Sequence, residues 1–526
     1  MPSPYYQISD SLLQNRRSFI LATSSLAVAA LWSGRAFGAV TSNPKFSSYP
    51  FQLGVASGDP APDGFVLWTR LAPEPLSGGG MPMQPVEVSW QVAEDEQMSK
   101  IVRKGKTIAT PEWAHSVHVE VDGLQPGRWY WYQFKAGSEV SPKGRTRTMP
   151  PINSTPDQLR FAFASCQHYE YGYFTAYDHM CREDLDLVVH LGDYIYEYGP
   201  TKEKRPRVHP SKEIYTLEEY RNRYALYKME ESLKAMHAAA PWIVTWDDHE
   251  VSNNYANDVS EKENVLSKDF LVRRAAAYKA YYEHMPLRRN TLPKGPDMKI
   301  YRQLPFGRLA DFHVLDTRQY RTDQPCNDGN KPQCLEALSP DGTIMGAKQR
   351  DWLFKGLQRS SSQWNVLAQQ VMMARVDRAA GPSVAYSMDQ WPGYEMDRRR
   401  VLKFLHEKKI KNPVVLSGDI HTNWANELIA DFDQLDSQSV ATEFVGTSIT
   451  SGGDGMPSPK TLPQTLSENP FVKFHNAERG YVSCTVTPKS WRSDYRTVEY
   501  VTRKDAPVNT RASFVVESGR PFLNKV

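Results

Sequence analysis

The sequence has no uninterrupted apolar run of the roughly 20 residues that a helix needs to cross a bilayer. The nearest is LATSSLAVAALW near the N-terminus, which is too short for roughly 30 Å of hydrocarbon. Cysteine is scarce, with five in 526 residues, which rules out a disulfide-built scaffold. There is no surplus of one charge either. The formal charge is +3, and residues 1–38 account for +2 of it through Arg16, Arg17 and Arg35 against Asp10. No basic block follows, so neither nucleic-acid binding by bulk electrostatics nor a nucleic-acid-binding domain is expected. Internal repeats and low-complexity tracts are also missing. What remains is an ordinary globular composition, 40% hydrophobic and 23% charged, in a chain longer than one usual domain.

The N-terminus reads as a targeting segment. Asn15-Arg16-Arg17-Ser18-Phe19-Ile20 precedes the short apolar run, and Ala36-Phe37-Gly38 precedes Ala39. Paired arginines, a brief apolar region and a small-residue site predict a twin-arginine signal over residues 1–39. A membrane anchor is the alternative, and the shortness of the run argues against it. The chain is therefore expected to pass through the twin-arginine export machinery to the periplasm or the extracellular space, with no transmembrane segment in the mature form. After export, Cys326 and Cys334 in the polar stretch DQPCNDGNKPQC could close a small disulfide. Cys181 and Cys484 lie in apolar patterns and are expected in the core.

Two domains follow the signal. Over residues 45–150, FVLWTRLA, VEVSWQVA, SVHVEVDGL and WYWYQFKAG alternate apolar and polar positions between turn residues, which predicts a small fibronectin-like β-sandwich. Met149-Pro150-Pro151 and the Asn-Ser-Thr-Pro after it make a linker. From 156 to 510 the pattern becomes short apolar runs without alternation, separated by amphipathic stretches at 217–238 and 268–285. Strands buried on both faces look like this, so the expected class is α/β, a layered core of mixed β-sheets flanked by helices. Residues 200–215 and 450–470 read as loops that shape a pocket.

Four of these runs end in groups that bind metals. LRFAFAS leads to Cys166, LDLVVHLG to Asp193 and Tyr196, PWIVTW to Asp247-Asp248-His249-Glu250, and NPVVLSG to Asp419 and His421. Loops beyond the carboxyl ends of strands converge in one crevice, so these residues are expected together. Each has a plain structural alternative: a core cysteine, a Gly-Asp turn, an acidic helix start or a core histidine. All four would have to mimic ligands at one sheet edge.

Gly192-Asp193-x-x-Tyr196, Asp248-His249-Glu250 and Gly418-Asp419-x-His421 resemble the GDxxY, GNHE and GHxH motifs of the calcineurin-like metallophosphoesterases. With Cys166 at the first strand and the variants WDDHE and SGDIH, the chain is similar to PhoD-type alkaline phosphatases and phosphodiesterases over residues 15–500. LDTRQYR at 315–321 fits the same family. The resemblance implies two neighbouring metal positions. Cys166, Asp193, Tyr196 and His421 form one, while Asp193 as a bridge, Asp248 and Asp419 form the other. It implies that His249 touches the phosphate and that Arg318 helps to hold it. Asp247 and Asn253 are further candidates, as is Gln370, which stands in VLAQQVMMAR where a histidine motif is expected. A thiolate and a phenolate suit Fe3+, and an all-oxygen set suits Ca2+, which matches the cofactors associated with the family.

The activity this implies is hydrolysis of phosphate mono- or diesters. The metals would hold or generate an oxygen nucleophile for in-line attack on phosphorus. Two alternatives stand beside it: phospholipase D-like cleavage of phospholipid headgroups, and a non-catalytic envelope-binding protein. A further reading pairs Cys166 in a disulfide after export, which would remove the iron site.

Overall fold

The computed structural model describes residues 39–457 and 459–526. The twin-arginine signal, with Arg16, Arg17 and most of its cleavage region, lies outside the described residues. Among those described, no helix is long and apolar enough to cross a membrane.

The apolar runs form two sheets stacked face to face. In the first, Leu159–Ala164, Leu187–His190 and Trp242–Val244 pair in parallel, register Phe161↔Leu187 and Val188↔Trp242. The antiparallel strands Arg479–Val486, Ser490–Val498, Val508–Glu517 and Arg520–Lys525 extend it beyond Leu159–Ala164. In the second, Ala310–Val314, Trp364–Ala368, Pro413–Ser417 and Ser439–Val445 are parallel neighbours, with antiparallel strands at both margins.

Side chains along each strand alternate between two apolar layers, which is why the sequence shows no polar face. Phe161, Phe163, Val189 and Ile243 of the first sheet meet Phe312, Val366, Val414 and Phe444 of the second in one continuous core. Their neighbours Ala162, Ala164, Val188, Trp242 and Val244 point the other way, to the helices Leu217–Lys228, Glu231–Ala239 and Ser267–His284. Leu367 and Val415 pack outward against Gly346–Arg359 and Glu395–Glu407. The result is helix, sheet, sheet, helix: the layered α/β class that the runs predict. Burying each Phe, Leu or Val in the inter-sheet layer contributes about 1.5–3 kcal/mol.

The stretch 217–238 reads as one amphipathic segment, yet it folds as two helices broken at Met229 and Glu230. The first opens with a capping box: Thr216 Oγ1 accepts from the Glu219 amide at 3.3 Å, and Glu219 Oε2 accepts from the Thr216 amide at 2.9 Å. Of the described residues among 450–470, Leu462–Glu468 form a short helix and the others are irregular.

The N-terminal region is β-rich, and its two faces close over Phe65, Leu67, Val117, Val119, Val88, Val92, Tyr130 and Tyr132. One of its sheets does not stop there. Val55–Ala61, Gly64–Arg70 and Ser116–Val121 continue the first central sheet through a parallel contact at Gly58↔Trp242. A side chain at Gly58 would stand 2.5 Å from the Pro286 carbonyl oxygen and 2.8 Å from that of Trp242, so only glycine permits the junction. Beside it, Arg302 pairs with buried Asp59 at 2.6 Å and bolts the N-terminal strands to the margin of the second sheet.

The disulfide expected between Cys326 and Cys334 is present. Cys166 is a free thiol, so the disulfide reading for it is overturned. Cys484 is buried and Cys181 packs partly buried against the core.

Candidate metal centre

All four ligand-bearing runs end at the same edge of the stacked sheets. Past the last paired residue the backbone turns sharply to aim a donor group into the crevice. Cys166, Asp193, Asp419 and His421 accordingly sit at φ +59°, +55°, +67° and +56°. Each costs about 1–2 kcal/mol in the left-handed region for a residue with a Cβ, and such strain clusters where geometry serves function. Adjacent turns brace each other: the amides of Cys166 and Gln167 donate to the carbonyls of Gly192 and Asp193, both at 3.1 Å. Gly192, at φ +116°, lies so close to Asp247 that a Cβ would come within 2.4 Å of it.

Three donor clusters result: Cys166, Asp193 and His421; Asp193, Asp248 and His249; and Asp247, Asp248 and Asp419. In each, the donor atoms lie within 4.8 Å of one another. Tyr196 joins the first, its hydroxyl 2.7 Å from Asp193 Oδ2 and 3.2 Å from His421 Nε2. Asp193 is common to two clusters. Its Oδ1 and Asp247 Oδ2 are buried without a hydrogen-bond partner, which is costly for a carboxylate unless a cation accompanies it.

Burial sets the charge states. It pushes the Asp193 and Asp247 carboxyls well above their ordinary range, and Asp419 up to about 6, with Asp389 adding repulsion. Burial raises the Cys166 thiol as well, and neighbouring Asp193 adds to it. Asp248 is the exception: burial opposes its ionisation, but Arg318 and His249 outweigh that and hold it anionic. Burial also works against a charged His249, yet Glu197 Oε2 at 2.7 Å from its Nδ1, with Asp248 and Asp193 near, keeps the imidazolium. His421 is driven the other way, to about 3, by burial and by Arg479, so it presents a neutral ring suited to a metal. Without cations the site crowds acids that cannot all ionise, which is the electrostatic signature of a metal centre.

Three sequence-predicted residues lie elsewhere. Arg318 is fully buried beneath the carboxylates: Nε donates to Asp247 at 2.5 Å, and both terminal nitrogens go to Asp389 at 2.8 and 2.9 Å. It anchors ligands instead of reaching a phosphate, because an arginine in this acidic floor is drawn inward. Gln370 spends its amide on Thr317, Thr245 and Leu315, so it has no atom to offer a metal. Asn253 turns its side chain outward to Glu261 at 2.7 Å.

Sequence reasoning missed the residues that hold the ligands. Glu197 orients His249 and takes the Asn253 amide at 2.7 Å; its place four residues after Asp193 was a usable signal. Glu250, which the sequence places among the donor groups, instead accepts from the backbone amides of Asp193, Tyr194 and Asp247, tying two strand ends together. Ser451 bridges the Tyr196 hydroxyl at 2.7 Å and the Cys166 carbonyl at 2.8 Å, placing the 450–470 segment at the site. Asp389 had no local signal, since its partners Arg318, Arg321 and Gln324 are 65 or more residues away.

Known proteins resemble this chain over most of its length. Residues 161–495 fit the PhoD-like phosphatase family, and residues 38–150 fit the N-terminal domain of PhoD-like phosphatases. Alkaline phosphatase D of Bacillus subtilis (strain 168) is 54% identical over 521 residues, 97% of this chain and 89% of that protein. The solved structure of PhoD superposes with a TM-score of 0.90 at 56% identity, covering 92% of this chain and 93% of that one. This chain is a phosphoester hydrolase of the PhoD-like phosphatase family.

Proposed function

We propose that this chain is an exported alkaline phosphatase and phosphodiesterase with two unlike metal positions. Cys166, Asp193, Tyr196 and His421 would hold Fe3+; Asp193, Asp248 and Asp419 would hold Ca2+ beside it. The observation that carries this reading is the shared carboxylate. Asp193 belongs both to the cluster with Cys166 and His421 and to the one with Asp248 and His249, Asp248 leads on to the acidic cluster with Asp247 and Asp419, and Asp193 Oδ1 is buried with no partner. The donor sets fit the two cations: thiolate, phenolate and imidazole favour a transition metal, and carboxylate oxygens favour a hard one.

Bound there, the cations would polarise the phosphoryl oxygens and offset the charge gathering on them. The protein's own groups do the rest. His249, kept protonated by Glu197 and placed among Asp193 and Asp248, donates a proton toward the leaving oxygen as its bond to phosphorus breaks. Glu197 fixes the ring by accepting the hydrogen bond from Nδ1–H, so that Nε2 is the donating atom. Arg318 balances the acids Asp247 and Asp389 and keeps Asp248 anionic. Export by the twin-arginine machinery completes the reading, because a chain folded before transport carries its metals with it.

Elemental analysis combined with rates on matched phosphate mono- and diesters, with and without added Ca2+, tests this. About one iron per chain and Ca2+-dependent hydrolysis are expected. Cys166→Ala should lose both the iron and at least a hundredfold in rate, about 3 kcal/mol. Full activity in that variant would sink the ligand assignment.

A further inference from the structure

On the Asp419 side of the centre, two cationic or donor side chains stand without the partners that burial demands. Arg378 is partly buried, forms no ion pair among the described residues, and has a buried Nε with no hydrogen-bond partner. Its one side-chain bond runs from Nη2 to Gln390 Oε1 at 3.0 Å, and Gln390 Nε2 in turn donates to Asp419 Oδ2 at 3.1 Å. His475 lies close enough for Arg378 to depress its basicity; burial and that charge bring its pKa down to about 4. Its ring meets Trp424 at 4.5 Å, and its Nδ1 is also buried and unpartnered.

The arginine is presented on a braced loop. Asp377 Oδ1 accepts from the amides of Ala379 at 3.0 Å and Ala385 at 2.9 Å. Asn469 accepts from the Asp377 amide and donates to its carbonyl, both at 2.9 Å. The opposite charge that reaches this partly buried guanidinium is Asp419, across Gln390; once Asp419 is committed to a cation, the arginine is left to be completed by another anion. The scissile phosphoryl group belongs among Asp193, Asp248 and His249. Gln390 stands between Arg378 and Asp419, which adjoins that cluster through Asp248, and this places Arg378 beside what lies next along the substrate.

We propose that Arg378, with His475, forms a subsite for a second anionic group, a phosphate or phosphonate flanking the ester that is cleaved. The subsite rests on the phosphoesterase reading and adds a substrate class to it: esters carrying a neighbouring negative charge. Arg378 and His475 are positioning residues here, touching the substrate away from the reacting atoms. A charge-assisted bond of this kind discriminates about tenfold to a hundredfold.

The test compares phenyl phosphate with the same ester carrying a para-phosphonate, on the full-length, metal-loaded chain. Wild type should favour the phosphonate-bearing ester through a lower KM. Arg378→Gln should raise that KM about tenfold to a hundredfold, leaving kcat on both esters and KM for phenyl phosphate within about twofold. Arg378→Lys should recover part of the loss, and His475→Asn should show a smaller loss of the same kind. An equal fall on both esters, or no change on either, overturns the proposal. Calorimetric titration with benzene-1,4-bisphosphonate against phenylphosphonate makes the same comparison without turnover. If wild type hydrolysed neither ester, the phosphoesterase reading would fail. A bisphosphonate preference abolished in Arg378→Gln would still uphold the subsite, and its absence would refute it.

Discussion

The two halves of the centre are built on opposite principles. On one side Cys166, Tyr196 and His421 form a compact set whose charges are suppressed: the thiol and phenol are pushed up by burial and the imidazole down. On the other, Asp247, Asp248, Asp389 and Asp419 crowd around Arg318, which pairs with Asp247 at 2.5 Å and Asp389 at 2.8 Å. The first half waits in neutral form for a metal strong enough to displace protons. The second carries its own internal cation, which holds Asp248 anionic while burial pushes Asp247 and Asp419 up, so a bound cation is needed for its acids to ionise together. The difference teaches why one site can hold unlike metals, with Asp193 in the sulfur-bearing cluster and joined through Asp248 to the acidic one.

Changing the shared residue has the largest expected effect. Asp193→Asn should empty both halves and lower kcat/KM on the order of a thousandfold, ~4 kcal/mol. Iron and calcium stoichiometry, measured beside the rate, checks it against Cys166→Ala. If the cysteine variant also lost its calcium, the halves would be one indivisible cluster and the contrast would collapse. Next comes Arg318→Gln, which leaves buried acids uncompensated and should cost about 3–5 kcal/mol of stability. Denaturant unfolding should find that loss deeper in chelator than in Ca2+; equal loss in both would mean the arginine does not share charge balance with the metal.

Glu197→Gln probes the acid between the halves. Glu197 holds His249 protonated, so its neutralisation lowers the His249 pKa. The basic limb of the pH–rate profile should then move to lower pH, with roughly a tenfold fall in kcat at alkaline pH. An unmoved limb would assign the proton elsewhere. The smallest effect belongs to a control outside both halves. Lys228 is buried against the rings of Trp68 at 4.2 Å and Tyr194 at 5.4 Å, and burial brings its pKa down to about 7. The folded state favours the neutral amine. Its contribution is therefore present above the unfolded pKa of about 10.4 and is lost as pH falls toward 7. Lys228→Met should flatten that window and raise the unfolding midpoint at pH 7 by roughly 1–2 °C, with or without chelator. Sensitivity to chelator would tie the lysine to the centre after all.

How much of this could be read from the chain depends on the range of each interaction. Cys166, Asp193, Tyr196, Asp248, Asp419 and His421 were legible because a strand end followed at once by a donor group is a local pattern. Their convergence followed from sheet geometry. Arg318 was found for the wrong position: its motif was visible, but not the four acids that draw it under the floor. Gln370 looked like a ligand in sequence, yet its amide is consumed by Thr317 and Thr245. Asp389 and Arg378 gave no signal, since their significance lies in partners brought from distant loops.

The N-terminal strands repeat the lesson. Alternation along residues 50–150 was enough to read β-structure, because a half-buried strand must alternate. It could not reveal that Val55–Ala61 joins the central sheet, which depends on the absent side chain of Gly58 facing Trp242.

The sequence by itself determined the layered α/β core, the β-rich N-terminal region and the donor groups at four strand ends, since periodicity and strand termination are short-range facts of the backbone. Tertiary structure alone decided which charges face each other. Coulombic balance among Arg318, Asp247, Asp389 and Asp419 acts over a few ångströms in space, across residues far apart in the chain, and no local pattern encodes it.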